Sequence, residues 1–551
     1  MTGTTAATHP AVHPDDPTPD APLQWPRGVI YQLYPRSFAD GNGDGIGDLS
    51  GALRRLDYIQ ELGVDAVWVS PWFVSPMADG GYDVADYLDI NPLFGTLADA
   101  DHFIDACHQR DLKVMIDMVA NHCSHEHPWF RAALASPPGS PEREWFYFRD
   151  GRGVGGAEPP TDWVSVFGGR AWTREVTPDG TPGQWYLHTF DPSQPDLNWT
   201  NDAVRDAFTT IFRFWFDRGV DGLRLDAVPA IGKDLDFEDA GCDPTSQFAP
   251  ETSAPTRYWD AGDVHDVVAS WRDVAESYSP PKYLVGEINV ATTEALLRYI
   301  RPGELQSVFA MNLTKSPWRA DEFRRRIADT LDYTSNGESW PTWVLSSHDE
   351  VRTVTRLART ADGGRDDAQG ARRARSALLI TLALPGGACL YQGEELGLPQ
   401  VEGLARELLE DPIVARTGDP TKGRDGCRVA LPWDTSAPSF GFSSVTPPLP
   451  QPGGWGSLSV RSQQEDASSF WHFTRAALRA RRATLLRQPD ECRWVELGPD
   501  VLAFDRGDVR CVVNFGVTPY VLAPGDHIIV ASEVVHERML APDAGVWLRR
   551  Q

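Results

Sequence analysis

Positive charge is scarce in this sequence: 51 Lys and Arg stand against 78 Asp and Glu in 551 residues, a formal net charge of −27. That balance excludes binding to nucleic acid or to an anionic membrane through bulk electrostatics. It suits an enzyme with a neutral substrate. Cysteine is also sparse. The seven (Cys107, Cys123, Cys242, Cys389, Cys427, Cys492 and Cys511) are odd in number, widely spaced and without a C-x-x-C pair. Such a set is neither a disulfide scaffold nor a zinc site, and it predicts a reducing, cytoplasmic location. No run of about 18 apolar residues occurs, so no helix is expected to span a membrane. The first residues, rich in Pro, Thr and Asp, lack the basic and apolar regions of a signal peptide. Residues 1–24 read as a disordered tail.

Aromatic faces, by contrast, are abundant, with 20 Trp and 14 Tyr. Most must fill a core, but sugar rings also stack on such faces through their apolar C–H groups. The length predicts several domains, or one large barrel with additions.

Short apolar runs alternate with helical periods, the pattern of a parallel α/β fold. Strands are expected at 28–32, 66–69, 113–116, 223–225, 283–285, 307–310, 343–345 and 388–391. Helices are expected at 53–62 (capped by Ser50 and stopped at Gly63), 97–110, 202–218 and 470–481. Eight strands in this order predict a (β/α)₈ TIM barrel. Residues 121–188 are dense in Gly, Pro and Trp, have no sustained period, and are too long for a loop. The expected organisation is a barrel over 25–120 and 189–484, an inserted small domain over 121–188 after strand 3, and a C-terminal all-β domain over 485–551.

Barrel enzymes carry their chemistry at the C-terminal strand ends. Four such ends here carry carboxylates: Asp117, Asp226, Glu287 and Asp349. One acid after a strand is most often a cap or turn residue. Four in succession suggest chemistry. Retaining glycoside hydrolysis needs two carboxyl groups about 5 Å apart, one to attack and one to move a proton. A third can stabilise charge on the ring.

The segments 117–122 (DMVANH), 221–227 (DGLRLDA), 286–287 (GE) and 347–349 (SHD) resemble, in order and spacing, the four conserved regions of the α-amylase family of glycoside hydrolases (family 13). The resemblance covers nearly everything from residue 25 onward. It implies Asp226 as nucleophile, Arg224 as the cation keeping it ionised, Glu287 as acid/base and Asp349 as transition-state stabiliser. His122 and His348 would bind sugar hydroxyls, and Asp117 would support the site rather than react. The family usually has Asn where this chain has Ser347.

Segment 194–198 (QPDLN) is similar to the marker of the oligo-1,6-glucosidase and α-glucosidase branch. That likeness implies a sugar-end clamp at Asp79, a stacking tyrosine at Tyr82, and pocket lining by Phe167, Phe190 and Gln194. It also implies an arginine closing the non-reducing end, either Arg424 or Arg428. The expected activity is exo-acting release of α-linked glucose from short oligosaccharides. Ala227 after the nucleophile inclines the branch towards α-1,4 bonds. Two alternatives stand beside the hydrolase: a glucosyl transferase or isomerase on the same scaffold, and a catalytically dead sugar-binding relative, against which the three intact acids argue.

Residues 40–48 (DGNGDGIGD) place oxygen donors at alternate positions, the logic of a calcium loop. The plainer reading is an Asx-rich turn. The resemblance favours a structural Ca²⁺ or Mg²⁺ on Asp40, Asn42, Asp44, the Ile46 carbonyl and Asp48. No organic cofactor is expected. His125-Glu126-His127 is not read as a metal cluster, because adjacent positions rarely converge on one ion. The sequence leaves monomer and homodimer open.

Overall fold

The structure is a computed structural model that describes residues 25–177, 179–253, 256–332, 339–359 and 363–550. The expected tail, 1–24, lies outside the described residues.

Eight parallel strands close into a barrel. They are β1 (Val29–Leu33), β2 (Ala66–Val69), β3 (Lys113–Val119), β4 (Gly222–Asp226), β5 (Tyr283–Gly286), β6 (Ser307–Ala310), β7 (Thr342–Val344) and β8 (Gly387–Tyr391). Each neighbours the next in the chain, and β8 closes on β1 through Val29 opposite Ala388. The strands are continuous apolar runs because both faces are buried, one in the barrel and one under the helices. This is the (β/α)₈ architecture read from the sequence.

Local signals set most helix ends. Thr96 and Asp99 form a reciprocal capping box at Leu97–His108. Asn201 caps Asp202–Asp217, whose buried Val204, Phe208, Ile211 and Trp215 recur at helical spacing. The first expected helix differs. It begins at Leu49, is capped by Asp48 rather than Ser50, and breaks at Arg54 before Leu56–Leu62, where Gly63 in the left-handed region ends it. Asp48 and Ser50 are both good caps in sequence. The aspartate wins because its carboxylate reaches the Gly51 N–H at 2.6 Å.

Residues 121–188 hold a helix, Pro128–Ala135, and a three-stranded sheet of Phe148–Arg149, Pro182–Leu187 and Trp172–Val176. The helix was not expected. It is short, and its flanks are rich in Pro and Trp. The apolar cluster of this region is completed from outside it: Trp163, Trp172 and Leu187 pack with Ala227, Phe248, Tyr258 and Trp259 from the chain after β4.

After β8 the last barrel helix, Phe470–Ala483, leads to a five-stranded antiparallel sheet. That sheet docks on the helix Asp367–Ala383, with Trp547 Nε1 donating to Leu379 O at 3.1 Å and Arg373 paired to Asp543 at 3.0 Å. Among the described residues no helix is long and apolar enough to cross a membrane.

Candidate active site

The register between β3 and β4 sets Asp117 opposite Arg224 and Val119 opposite Asp226. Glu287 follows the last residue of β5, and its N–H donates to Leu225 O at 2.9 Å. Asp117, Asp226 and Glu287 therefore surround the Arg224 guanidinium. Nη1 lies 2.7 Å from Asp117 Oδ1 and 2.5 Å from Asp226 Oδ1, and Nη2 lies 2.5 Å from Glu287 Oε2. Asp226 and Glu287 occupy the two terminal nitrogens of one fork, so they lie side by side. The guanidinium sits 5.2 Å over the Trp68 ring. Ala227, directly after Asp226, takes a left-handed conformation (φ 41°, ψ 43°) that costs a non-glycine residue energy. The turn aims its N–H at Glu287 Oε2, 3.3 Å away.

Three carboxylates, those of buried Asp117 and Asp226 and half-buried Glu287, thus share one cation. Burial pushes Asp226 upward against the pull of Arg224, and the charges of Glu287 and Asp117 add to the rise. Burial likewise brings Asp117 up to about 6, with Arg224 opposing. The cluster favours retaining a proton.

Asp349 faces a different set. Its Oδ1 accepts from Arg428 Nη2 at 2.7 Å and Arg424 Nη1 at 3.1 Å, and its Oδ2 lies 3.1 Å from His348 Nε2. Burial alone would raise this carboxyl, but the His348 ring nitrogen beside it and the charges of Arg424 and Arg428 hold it far below the usual range. His348 stacks on Tyr82 at 5.3 Å and 3°, and Gln32 Nε2 lies 2.7 Å from its Nδ1. Burial lowers it to about 3, so the ring is neutral at pH 7. The Tyr82 hydroxyl lies 2.5 Å from His348 Nε2 and donates to Asp117 at 3.0 Å, which links the two carboxylate groups. Ser347 Oγ accepts the Asp349 N–H at 3.1 Å, a turn contact made in place of the usual Asn.

The remaining expected residues adjoin these. Asp79 pairs with Arg424 Nη2 at 2.7 Å and accepts from Gln194 Nε2 at 3.1 Å. Gln194 also meets His122 Nε2 at 3.1 Å, and burial lowers His122 to about 4. Phe190 lies 5.1 Å from His122 and 5.6 Å from Phe167, over which the Arg424 guanidinium rests at 5.1 Å. The alternatives left in sequence separate here: Arg424 meets Asp79, whereas Arg428 meets Asp349 and the His348 carbonyl. Sequence reasoning missed Asp411, which grips Arg424 Nε at 2.6 Å and Nη2 at 2.9 Å. It also missed Lys233, buried between Asp196 (3.0 Å) and Asn121 (3.2 Å). Three contacts tie surrounding loops together: Arg416 to Gly168 O at 2.8 Å, Lys422 to Gln247 at 3.0 Å and Lys315 to Glu251 at 2.9 Å.

In the loop 40–48, Asp40 accepts N–H groups from Asn42, Gly43 and Gly45 at 3.0, 2.6 and 2.8 Å. Asp44 accepts from Ile46 N at 2.8 Å, and Asp48 is the helix cap. These are Asx-turn contacts. Both oxygens of Asp40 and of Asp48 already accept two donors each, whereas Asn42 Oδ1 and the two Asp44 oxygens accept one each; an all-oxygen donor set is the chemistry of a hard cation. Among the described residues no three His, Cys, Asp or Glu form a group that could hold a metal ion. His127 instead caps Pro128–Ala135, its Nδ1 accepting Trp129 N–H at 3.1 Å.

A closed parallel barrel with paired carboxylates at its C-terminal mouth defines a barrel glycoside hydrolase. Residues 32–488 match the family model "Alpha amylase, catalytic domain"; this chain belongs to the α-amylase family. A "Probable alpha-glucosidase" of Rhizobium meliloti is 38% identical over 508 residues, covering 89% of each chain. An "Oligo-1,6-glucosidase" of Parageobacillus thermoglucosidasius is 34% identical, covering 83% of each. The crystal structure of XgtA, an alpha-glucosyl transfer enzyme, superposes with a TM-score of 0.84 at 36% identity, covering 96% of this chain and 99% of that one.

Proposed function

We propose that the protein is a retaining, exo-acting α-glucosidase that releases glucose from the non-reducing end of short oligosaccharides, with a bias towards α-1,4 bonds. The observation that carries this reading is the single Arg224 fork bonded to both Asp226 and Glu287. Asp226 Oδ attacks the anomeric carbon while Glu287 gives a proton to the leaving oxygen. Water then bonds to that carbon, Glu287 takes back a proton, and the bond to Asp226 breaks. Asp349, held anionic, faces the positive charge on the ring and binds its hydroxyls. Neutral His122 and His348 offer hydrogen bonds without repelling that charge. The buried Asp79, paired with Arg424 and bonded to Gln194, supports exo action on short chains.

Proton NMR of fresh maltose digests tests the stereochemistry: α-glucose appearing first supports the reading, and β-glucose appearing first refutes it. XgtA, named for glucosyl transfer, favours one second reading, in which a sugar replaces water as acceptor. Chromatography of the same digests separates them, because glucose alone marks hydrolysis and longer sugars mark transfer. The loop 40–48 would hold a structural Ca²⁺ or Mg²⁺ through Asp40, Asn42, Asp44, the Ile46 carbonyl and Asp48, outside the chemistry. The seven cysteines are all unpaired in the structure, which supports a reducing cytoplasmic location.

A further inference from the structure

Asn289 stands two residues past Glu287, half-buried, and belongs to none of the four motif segments. Its Nδ2 donates to Glu287 Oε1 at 2.9 Å. The other oxygen, Oε2, receives Arg224 Nη2 at 2.5 Å and the Ala227 N–H at 3.3 Å. Two donors, one of them a permanent cation, point at Oε2, so an acidic proton there would displace them. The transferable proton therefore belongs on Oε1, where Asn289 fills one lone pair and leaves the other. The backbone that presents Asn289 is fixed from the β4 side. Trp259 Nε1 donates to Asn289 O at 2.7 Å, Val228 N donates to Glu287 O at 3.2 Å, and Glu287 N donates to Leu225 O at 2.9 Å.

We infer that Asn289 is a positioning residue for the acid/base: it turns Glu287 so that Oε1 gives and recovers the proton, and it eases that proton's release. The inference rests on the reading of Glu287 as acid/base. In the first step the Oε1 proton moves to the glycosidic oxygen as the C1–O bond breaks and the bond from C1 to Asp226 Oδ forms. Glu287 is left as a carboxylate, whose charge the Asn289, Arg224 and Ala227 donors stabilise. In the second step Oε1 takes a proton from water as the water oxygen bonds to C1 and Asp226 departs.

The test compares full-length Asn289→Ala, Asn289→Asp and Glu287→Gln by kcat/KM on maltose and on 4-nitrophenyl α-glucoside across pH. Nitrophenolate leaves without needing a proton, so only maltose feels the loss of acid catalysis. Asn289→Ala should lose about ten- to a hundred-fold on maltose and less than about three-fold on the nitrophenyl substrate. Its alkaline limb should move up by about half a pH unit, because a donor to the ionised form is gone. Asn289→Asp should move that limb further, since a like charge opposes ionisation. Equal losses on both substrates with an unmoved limb would overturn the inference. Glu287→Gln separates the two levels. If it spares the nitrophenyl substrate relative to maltose, the acid/base reading stands whatever Asn289 does. If it affects both equally, that reading fails and the inference falls with it.

Discussion

Two arginine–carboxylate groups face each other across the pocket, and they behave in opposite ways. On the β3–β5 side one guanidinium, Arg224, serves Asp117, Asp226 and Glu287. On the β7–β8 side Arg424 and Arg428 converge on Asp349, with His348 beside it. In both groups burial works to raise the carboxyls of Asp117, Asp226 and Asp349. What differs is the count of cations per acid. Where acids outnumber the cation, protons are retained and Asp117 rises to about 6. Where one acid meets two cations, Asp349 is locked as an anion, even though Arg424 also serves Asp79 and Asp411. One pocket thereby offers an exchangeable proton on one wall and a fixed negative charge on the other.

Removing the shared cation should break this comparison most severely. Arg224→Met leaves Asp117, Asp226 and Glu287 without their shared cation, and should cost about 3–5 kcal/mol of stability. Turnover should fall by more than about a thousand-fold. Denaturant melts and maltose kinetics measure both. On the opposite wall Arg424→Ala should act through binding. It frees Asp79 and opens the clamp, so kcat/KM on maltose should fall about ten- to a hundred-fold, mostly in KM. A loss wholly in kcat would contradict the clamp.

A smaller effect sharpens the proton contrast. Asp117 in the folded chain holds its proton up to about pH 6, above its unfolded value. Between those values the unfolded chain has already released its proton, so Asp117 favours folding less as pH rises. Neutral Asp117→Asn should therefore melt a few degrees above the parent at pH 7, with the advantage shrinking as pH falls through about 6 towards 4. Asp349, whose pKa is depressed, contributes stability above the unfolded value that is lost only on further acidification. An advantage of Asp117→Asn unchanged down to pH 4 would contradict the retained proton. The smallest expected effect belongs to the loop 40–48: EDTA should lower the melting temperature by a few degrees and added Ca²⁺ or Mg²⁺ should restore it.

The barrel was legible because each buried strand is a short apolar run, and the four acids because each stands within a few residues of such a run. The choice between Arg424 and Arg428 was not, because Asp79, which pairs with Arg424 alone of the two, lies 345 residues from it in the chain. Asp411 was invisible for a related reason: before Pro412 it reads as an ordinary helix cap, which it also is, and nothing local marks it as the buried anchor of an arginine 13 residues on. The helix Pro128–Ala135 has only eight residues, too few for a period to emerge. The apolar cluster joining Trp163 and Trp172 to Trp259 forms only when two segments about 90 residues apart meet.

The most direct test of the central claim is to trap the glucosyl intermediate with 5-fluoro-α-glucosyl fluoride and map the label by peptide mass spectrometry. The account predicts one fluoroglucosyl unit on the peptide containing Asp226, lost in Asp226→Asn. A label on Glu287 or Asp349, or a time-dependent inactivation that leaves no covalent adduct, would contradict it.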